Sequence, residues 1–100
     1  MTTFIMTGRY STEAIRQISG ERTTKAIEIV QQCGGKISAT YATMGETDLL
    51  AIMEFPGVNE AIKASVALSK ALGVSFSIVP AIRIEEFDKL VANTAYDLAM

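Results

Sequence analysis

The chain has 100 residues, 49% of them hydrophobic, and carries a net charge of −2 at pH 7. Its nine Lys and Arg residues are scattered, so the basic stripe typical of a nucleic-acid surface is absent. No apolar run reaches the ~18 residues of a membrane span, and the N-terminus does not resemble a signal peptide. Cys33 is the only cysteine, which excludes an intrachain disulfide. We therefore expect one cytoplasmic domain over residues 1–100 that binds neither nucleic acid nor membrane.

The apolar content is high for so short a chain. A small domain buries only about 60–65% of the surface that its unfolded chain exposes. Some apolar surface is therefore expected to remain outside the core of a monomer, which favours self-association as a homodimer or larger homo-oligomer.

The first predicted strand is Thr3–Tyr10, with Phe4, Met6 and Tyr10 on one face. Ser11 is expected to cap a short helical turn whose Ile15 and Ile18 face inward.

Gly20 is expected to separate that turn from a main helix over Glu21–Cys33. Apolar residues recur on one side of this helix at Ala26, Ile27, Val30 and Cys33. Gly34 then follows as a left-handed C-cap.

A β-hairpin is predicted at the centre of the chain. Lys36–Thr43 alternates apolar and polar residues, which predicts a strand with Ile37, Ala39 and Tyr41 on one face. A tight turn follows at Met44–Asp48, where Gly45 can adopt a positive φ. Leu49–Phe55 is apolar on both faces except at Glu54, which is typical of a central strand.

The second half of the chain repeats the pattern. Asn59 is a predicted N-cap for a helix that runs to about Leu72 and stops at Gly73, with an apolar face of Ala61, Ile62, Val66, Ala67, Leu68 and Leu72. A fourth strand is expected over Val74–Ile84, with Phe76, Ile78 and Ile82 on one face. Pro80 lacks an N–H and restricts that strand to an edge or a bulge.

A short helix is predicted over Glu85–Val91, and residues 93–100 are expected to form a loose tail. The order β-α-β-β-α-β predicts an α+β, ferredoxin-like fold: a four-stranded antiparallel sheet in the order 4-1-3-2, with both long helices on one face. The other face carries apolar residues and needs a partner.

The sequence resembles the GYD-domain family of small bacterial and archaeal proteins. The resemblance covers nearly the whole chain and rests on Thr7-Gly-Arg-Tyr-Ser-Thr-Glu13, Cys33-Gly-Gly-Lys36, Tyr41-Ala-Thr-Met-Gly-Glu-Thr-Asp48, Phe55-Pro56 and Ile84-Glu-Glu-Phe87. The family signature, Gly-x-Tyr-Asp or a close variant, appears here as Gly45-Glu-Thr-Asp48. Thr47 replaces the tyrosine, which argues against a function that depends on a phenol at this position. The resemblance implies a sheet-to-sheet dimer, an α+β barrel, and no established activity.

The absence of histidine removes the usual general base near neutral pH and the common nucleophile pairs. One cysteine with carboxylates makes a poor zinc site, so no metal or cofactor is expected. Gly34-Gly35 follows a helix and is therefore not a phosphate-binding loop. Cys33 is expected to be a small apolar core residue.

Four residues are candidates for a ligand site. Asp48 is either a general base or ligand-binding carboxylate, or a turn residue that bonds backbone amides. Arg9 either binds an anionic ligand or forms an interface or intrachain ion pair with Asp48 or Glu54. Tyr41 is either a hydrogen-bond donor in a pocket or a packing residue. Gly45 allows close approach of the backbone.

Three functions follow as hypotheses. The first is a self-associating, non-catalytic domain that binds a small molecule between paired sheets. The second is an enzyme of the cofactor-independent monooxygenase or isomerase kind, which would rely on Asp48, Glu54, Arg9 or Tyr41. The third, an effector-sensing module, is normally joined to a DNA-binding domain, and none is visible in these residues.

Overall fold

The computed structural model describes residues 1–17 and 19–99, and of residues 93–99 it describes the backbone alone. In chain order the elements are β1 (Thr2–Tyr10), α1 (Thr12–Arg16), α2 (Gly20–Gln32), β2 (Lys36–Ala42), β3 (Leu49–Phe55), α3 (Val58–Leu72), β4 (Val74–Ala81) and α4 (Ile84–Ala99). The strands form one antiparallel sheet in the order β2-β3-β1-β4. This confirms the predicted ferredoxin-like fold and its strand order.

The core lies between α2 and α3 and one face of the sheet. Alternate residues of the two central strands are buried there: Phe4 and Met6 in β1, and Ala51, Met53 and Phe55 in β3. The rings of Phe4 and Phe55 meet edge to face, with centroids 6.0 Å apart. Helix α3 contributes Ala61, Ala64 and Leu68, and α2 contributes Val30. The two alanines let α3 lie close against the sheet.

The opposite face of the sheet, here called the open face, carries none of these helices. Residues paired across antiparallel strands share a face, so the strand register gives the rows of side chains on it. The middle row crosses the whole sheet and is apolar throughout: Ala39, Ile52, Ile5 and Val79. The next row, toward the β2–β3 hairpin, is Tyr41, Leu50, Thr7 and Ser77.

Strand β2 contains a β-bulge that the sequence pattern does not predict. The register shifts between Ile37, which pairs with Met53, and Ala39, which pairs with Ile52. One extra residue reverses the facing of everything beyond it. The prediction that Ile37, Ala39 and Tyr41 share a face is therefore wrong: Ile37 faces the helices, whereas Ala39 and Tyr41 lie on the open face.

The first helical region differs in part from expectation. The Ser11 hydroxyl accepts a hydrogen bond from the Ala14 amide at 3.0 Å, which confirms the predicted cap. Ala14 is the buried residue of this helix, whereas Ile15 is 53% exposed. The prediction that Ile15 faces inward was therefore wrong. Ile18 lies outside the described residues.

The main helix begins at Gly20 itself, with Ser19 as its N-cap, and not after the glycine. At the other end the backbone of Gly34 takes a φ of +81°, which confirms the left-handed C-cap.

Helix α3 begins earlier than predicted. Gly57 occupies the N-cap position and Asn59 lies inside the helix, because the chain turns into the helix directly after the Pro56-Gly57 break. On its predicted apolar face, Ile62 and Val66 are about half exposed. Strand β4 ends at Ala81 and not at Ile84. It is an edge strand, as the position of Pro80 predicts.

Helix α4 is longer than the predicted Glu85–Val91 segment, because no glycine or proline interrupts the chain before Ala99. The described chain measures 56 Å along its longest axis. The described apolar side chains of α4 are at least 40% exposed: Ile84, Phe87, Leu90 and Val91. The predicted looseness of residues 93–100 stays a prediction, and Met100 lies outside the described residues. Within the described residues, no helix is both long and apolar enough to cross a bilayer.

Candidate functional site

The β2–β3 hairpin holds the family-signature segment at one end of the sheet. Gly45 lies at its exposed tip with a φ of +137°, a conformation that residues with a Cβ rarely adopt. The Thr43 hydroxyl donates to the Thr47 carbonyl at 2.8 Å and so closes the turn. Thr47, the residue at the tyrosine position of the family, is thus part of the turn's own hydrogen bonding.

Asp48 connects this hairpin to β1. Its Oδ2 accepts a hydrogen bond from the Tyr10 amide at 3.0 Å. Its own amide donates to the Gly8 carbonyl at 2.8 Å, and its carbonyl accepts from the Thr43 amide at 2.9 Å. The carboxylate therefore bonds a backbone amide, as the structural alternative for Asp48 expects, although that amide belongs to β1 and not to the turn.

Arg9 is exposed on the open face, near the hairpin, and pairs with Ser75 of β4. It borders a shallow depression of about 350 Å³ that is lined by Thr7, Arg9, Glu46, Thr47, Ser75, Phe76 and Ser77. Among the described residues Arg9 forms no ion pair with Asp48 or Glu54, so that alternative was wrong within the chain.

Tyr41 is 57% exposed and lies on β2, which β3 separates from β1. It therefore shares the open face with Arg9 but does not line the same depression, and neither do Asp48 and Gly45. The structure brings the four candidates to one end of the sheet without joining them in one pocket.

Glu54 lies near the other end of the open face, opposite Thr3. The Ser38 hydroxyl donates to Glu54 Oε2 at 3.0 Å, and Lys36 Nζ lies 3.5 Å from the same oxygen. The hydrogen bond from Ser38 and the ammonium of Lys36 lower the pKa of Glu54 below its usual 4.5. A lowered pKa makes this carboxylate a weaker base, which does not favour general-base catalysis.

Three of the sulfur-containing side chains contribute to the packing of the core. Cys33 is half-buried and packs against the core, as predicted, and Met6 and Met53 belong to the core itself. Met44 is fully exposed in the hairpin. No three His, Cys, Asp or Glu side chains within residues 1–17 and 19–92 are grouped as metal ligands would be.

A cleft that sequence reasoning missed lies on the helix side of the sheet, where α2, the C-terminal half of α3 and the sheet meet. We call it the α2 cleft. It has a volume of about 300 Å³ and walls that are mostly apolar. Its polar lining residues are Tyr10, Ser19, Arg22, Thr23, Gln31, Lys36 and Thr40. Thr40 pairs with Ala51, which is buried on the helix side of the sheet. The β2 bulge therefore places Thr40 on the side of this cleft and Tyr41 on the opposite face.

Comparisons with known proteins agree with this fold. The crystal structure of the Mycobacterium tuberculosis leucine response regulatory protein (LrpA) matches with a TM-score of 0.55 at 6% sequence identity. The match covers 82% of this chain and 51% of that protein, so the chain spans about half the length of the structure that it matches. At this identity the likeness shows the fold alone. No curated protein sequence matches the chain.

The family comparison is more specific. The model of the GYD domain matches residues 4–91, a range that runs from β1 into α4 and includes the hairpin signature. The match confirms the resemblance seen in the sequence. The chain therefore belongs to the GYD-domain family.

Proposed function

We propose that this domain works as a self-associating module in which two copies pair through their open faces to form an α+β barrel. The observation that supports the proposal is the apolar middle row, Ala39, Ile52, Ile5 and Val79, which crosses all the strands on the side without helices.

The size and continuity of this row favour a protein partner. Val79 is 52% exposed and Tyr41, in the neighbouring row, is 57% exposed, while Ala39, Ile52 and Ile5 are half-buried. A continuous apolar patch on a soluble domain is typical of an interaction surface. A second copy presents the same row, so face-to-face packing covers both patches at once, as a two-fold interface requires.

Two charged residues of opposite sign flank the apolar row on the open face. Arg9 lies near the hairpin end, and Glu54 lies toward the opposite end. A two-fold axis that runs across the strands would place these opposite charges near each other between the two copies. Such an interface ion pair is the alternative to a bound anion at the Arg9 guanidinium.

Within such a dimer we place the small-molecule site at the depression beside Arg9, where a second sheet would close an otherwise shallow surface. An anionic group is the expected ligand feature, because a guanidinium binds carboxylates by paired hydrogen bonds. Under this proposal Arg9→Met abolishes thermal stabilisation by a ligand that is found in a screen of small carboxylates and that shifts the NMR signals of the open face rather than those of α2. Unchanged affinity in Arg9→Met would remove this site from the proposal and leave the association intact.

Two variants with matched exposure test the association itself. Val79→Glu places a charge on the open face, and Ile62→Glu places one on α3, where the parent residue is 49% exposed. We expect size-exclusion chromatography with light scattering to find a monomer for Val79→Glu and a dimer for Ile62→Glu, with wild-type circular dichroism for both. A dimer that persists in Val79→Glu, or that dissociates only in Ile62→Glu, would place the interface elsewhere.

The enzyme alternative has no observation in its favour. It calls for a titratable group whose pKa is shifted toward neutrality inside a pocket. The pKa of Glu54, one of the residues on which this alternative relies, is lowered instead, and its carboxylate is held by Ser38 and Lys36. We therefore propose no reaction.

A further inference from the structure

We propose that the α2 cleft is a binding site for a small amphipathic carboxylate, with the apolar body between α2 and the sheet and the carboxylate at Arg22. This site is on the helix side of the sheet and is independent of the open face and of any dimer formed through it.

The shape and lining of the cleft suit a small molecule. Its volume of about 300 Å³ is at the lower end of the range for small-molecule sites, about 300–1,000 Å³. Side chains of the sheet, α2 and α3 form its apolar walls, among them Ala26, Ile37, Met53 and Leu72.

The charge of the lining selects an anion. Both charged residues that line the cleft, Arg22 and Lys36, are cationic, and no Asp or Glu is among its lining residues. The Lys36 ammonium lies 3.5 Å from Glu54 and is therefore partly neutralised. Arg22 has no carboxylate within ion-pair distance among the described residues, so its charge is the one that a ligand would meet.

Arg22 is also held in position before any ligand arrives. Its half-buried guanidinium donates from Nη1 to the Ala14 carbonyl at 2.8 Å and from Nη2 to the Leu72 carbonyl. These acceptors are neutral, and a guanidinium has five N–H donors, so donors remain for a carboxylate. Tyr10, which is half-buried and lines the same cleft, adds a hydroxyl donor. Fixed donors lose little conformational freedom on binding, which favours affinity.

Octanoate is a suitable probe, with octanol as the uncharged analogue and acetate as the head group alone. We expect titration of the whole chain, followed by ¹H–¹⁵N NMR, to show octanoate-induced shifts in α2, β2 and around Tyr10. Octanol should bind at least about tenfold more weakly, because it cannot form the charged hydrogen bonds to Arg22, and acetate should not bind. Equal affinity for octanol and octanoate, or shifts confined to the open face, would overturn the proposal.

Substitutions separate this site from the open face and from general destabilisation. Ala26→Leu fills the cleft from α2, whereas Ala71→Leu adds the same side chain at an exposed position of α3 that does not line it. We expect Ala26→Leu to abolish octanoate binding, and Ala71→Leu and Arg9→Met to leave it unchanged. Arg22→Met tests the charge, but it also removes the hydrogen bonds to two carbonyls and can therefore affect folding. Octanoate binding that survives in folded Ala26→Leu would contradict the site whatever the behaviour of Arg22→Met.

Discussion

The hydrogen bond from the Tyr10 amide to Asp48 joins the central hairpin to the end of β1. We expect its removal to lower the free energy of unfolding by an amount that follows from the burial of the amide. Asp48→Ala deletes the acceptor and leaves a partly buried backbone amide without its partner. Asp48→Asn keeps an oxygen in nearly the same place. The other two hydrogen bonds of this residue involve its backbone and remain in both variants.

The expected cost follows from the acceptor that is lost. Leaving a buried donor unpaired costs about 1–3 kcal/mol, whereas exchanging a charged acceptor for a neutral one costs about 1 kcal/mol. In a domain of this length each kcal/mol corresponds to about 4–8 °C in melting temperature. We therefore expect Asp48→Ala to lower the melting temperature by about 5–20 °C, and Asp48→Asn by at most about 8 °C.

Thermal unfolding followed by circular dichroism at one fixed protein concentration is the assay, since association would shift the apparent stability. Glu46→Ala is the control, because it removes an exposed carboxylate from the same turn. A melting temperature within one degree of wild type for Asp48→Ala would refute the structural role of this carboxylate. An equal drop in melting temperature for Asp48→Ala and Asp48→Asn would mean that the negative charge of the Asp48 carboxylate stabilises the fold more than its hydrogen-bond acceptor does.

Two further predictions concern Glu54 in the sheet and Gly35, which lies between α2 and β2. The pKa of Glu54 is lower in the folded state than its usual 4.5, so its contribution to stability is present above pH 4.5 and is lost as the pH falls through the lowered value. We expect Ser38→Ala to lower the urea midpoint at about pH 6, and this difference to shrink as the pH falls through the lowered pKa of Glu54; a pH-independent difference would contradict this. A Cβ on Gly35 would lie 2.4 Å from the buried Phe55 ring, so Gly35→Ala should cost about 1–3 kcal/mol in urea unfolding. Gly20→Ala, which meets nothing within 4 Å, should cost nothing.

Strand and helix patterns were enough to predict the fold because they were consistent over long segments. The apolar run Leu49–Phe55 marks a central strand, the apolar side of Glu21–Cys33 marks the buried face of a helix, and right-handed crossovers then fix the topology. Helix ends and short elements were less predictable. Ile15 lies outside because α1 approaches the end of α3 so closely that only the small Ala14 fits there, 3.4 Å from where a Cβ on Gly73 would be.

The candidate site was predicted only in part, for a reason that is specific to β2. Arg9 and Asp48 do lie at one end of the sheet, as expected from the strand ends. The bulge between Ile37 and Ala39 leaves no sign in the pattern, because Ser38, Ala39 and Thr40 are all small and fit either face. A one-residue shift there moves Tyr41 to the open face and opens the α2 cleft beneath Thr40. Register of this kind depends on pairing with a distant strand, which local pattern does not encode.

The mass of the protein in solution tests the central claim, that a second copy covers the apolar row on the open face. Sedimentation equilibrium at micromolar concentration should give twice the 10.8 kDa chain mass for the wild type and the single chain mass for Val79→Glu. Hydrogen exchange on the same samples should show slower exchange in the edge strand β4 of the wild type than of the variant. A wild-type mass of 10.8 kDa throughout the micromolar range would contradict the account.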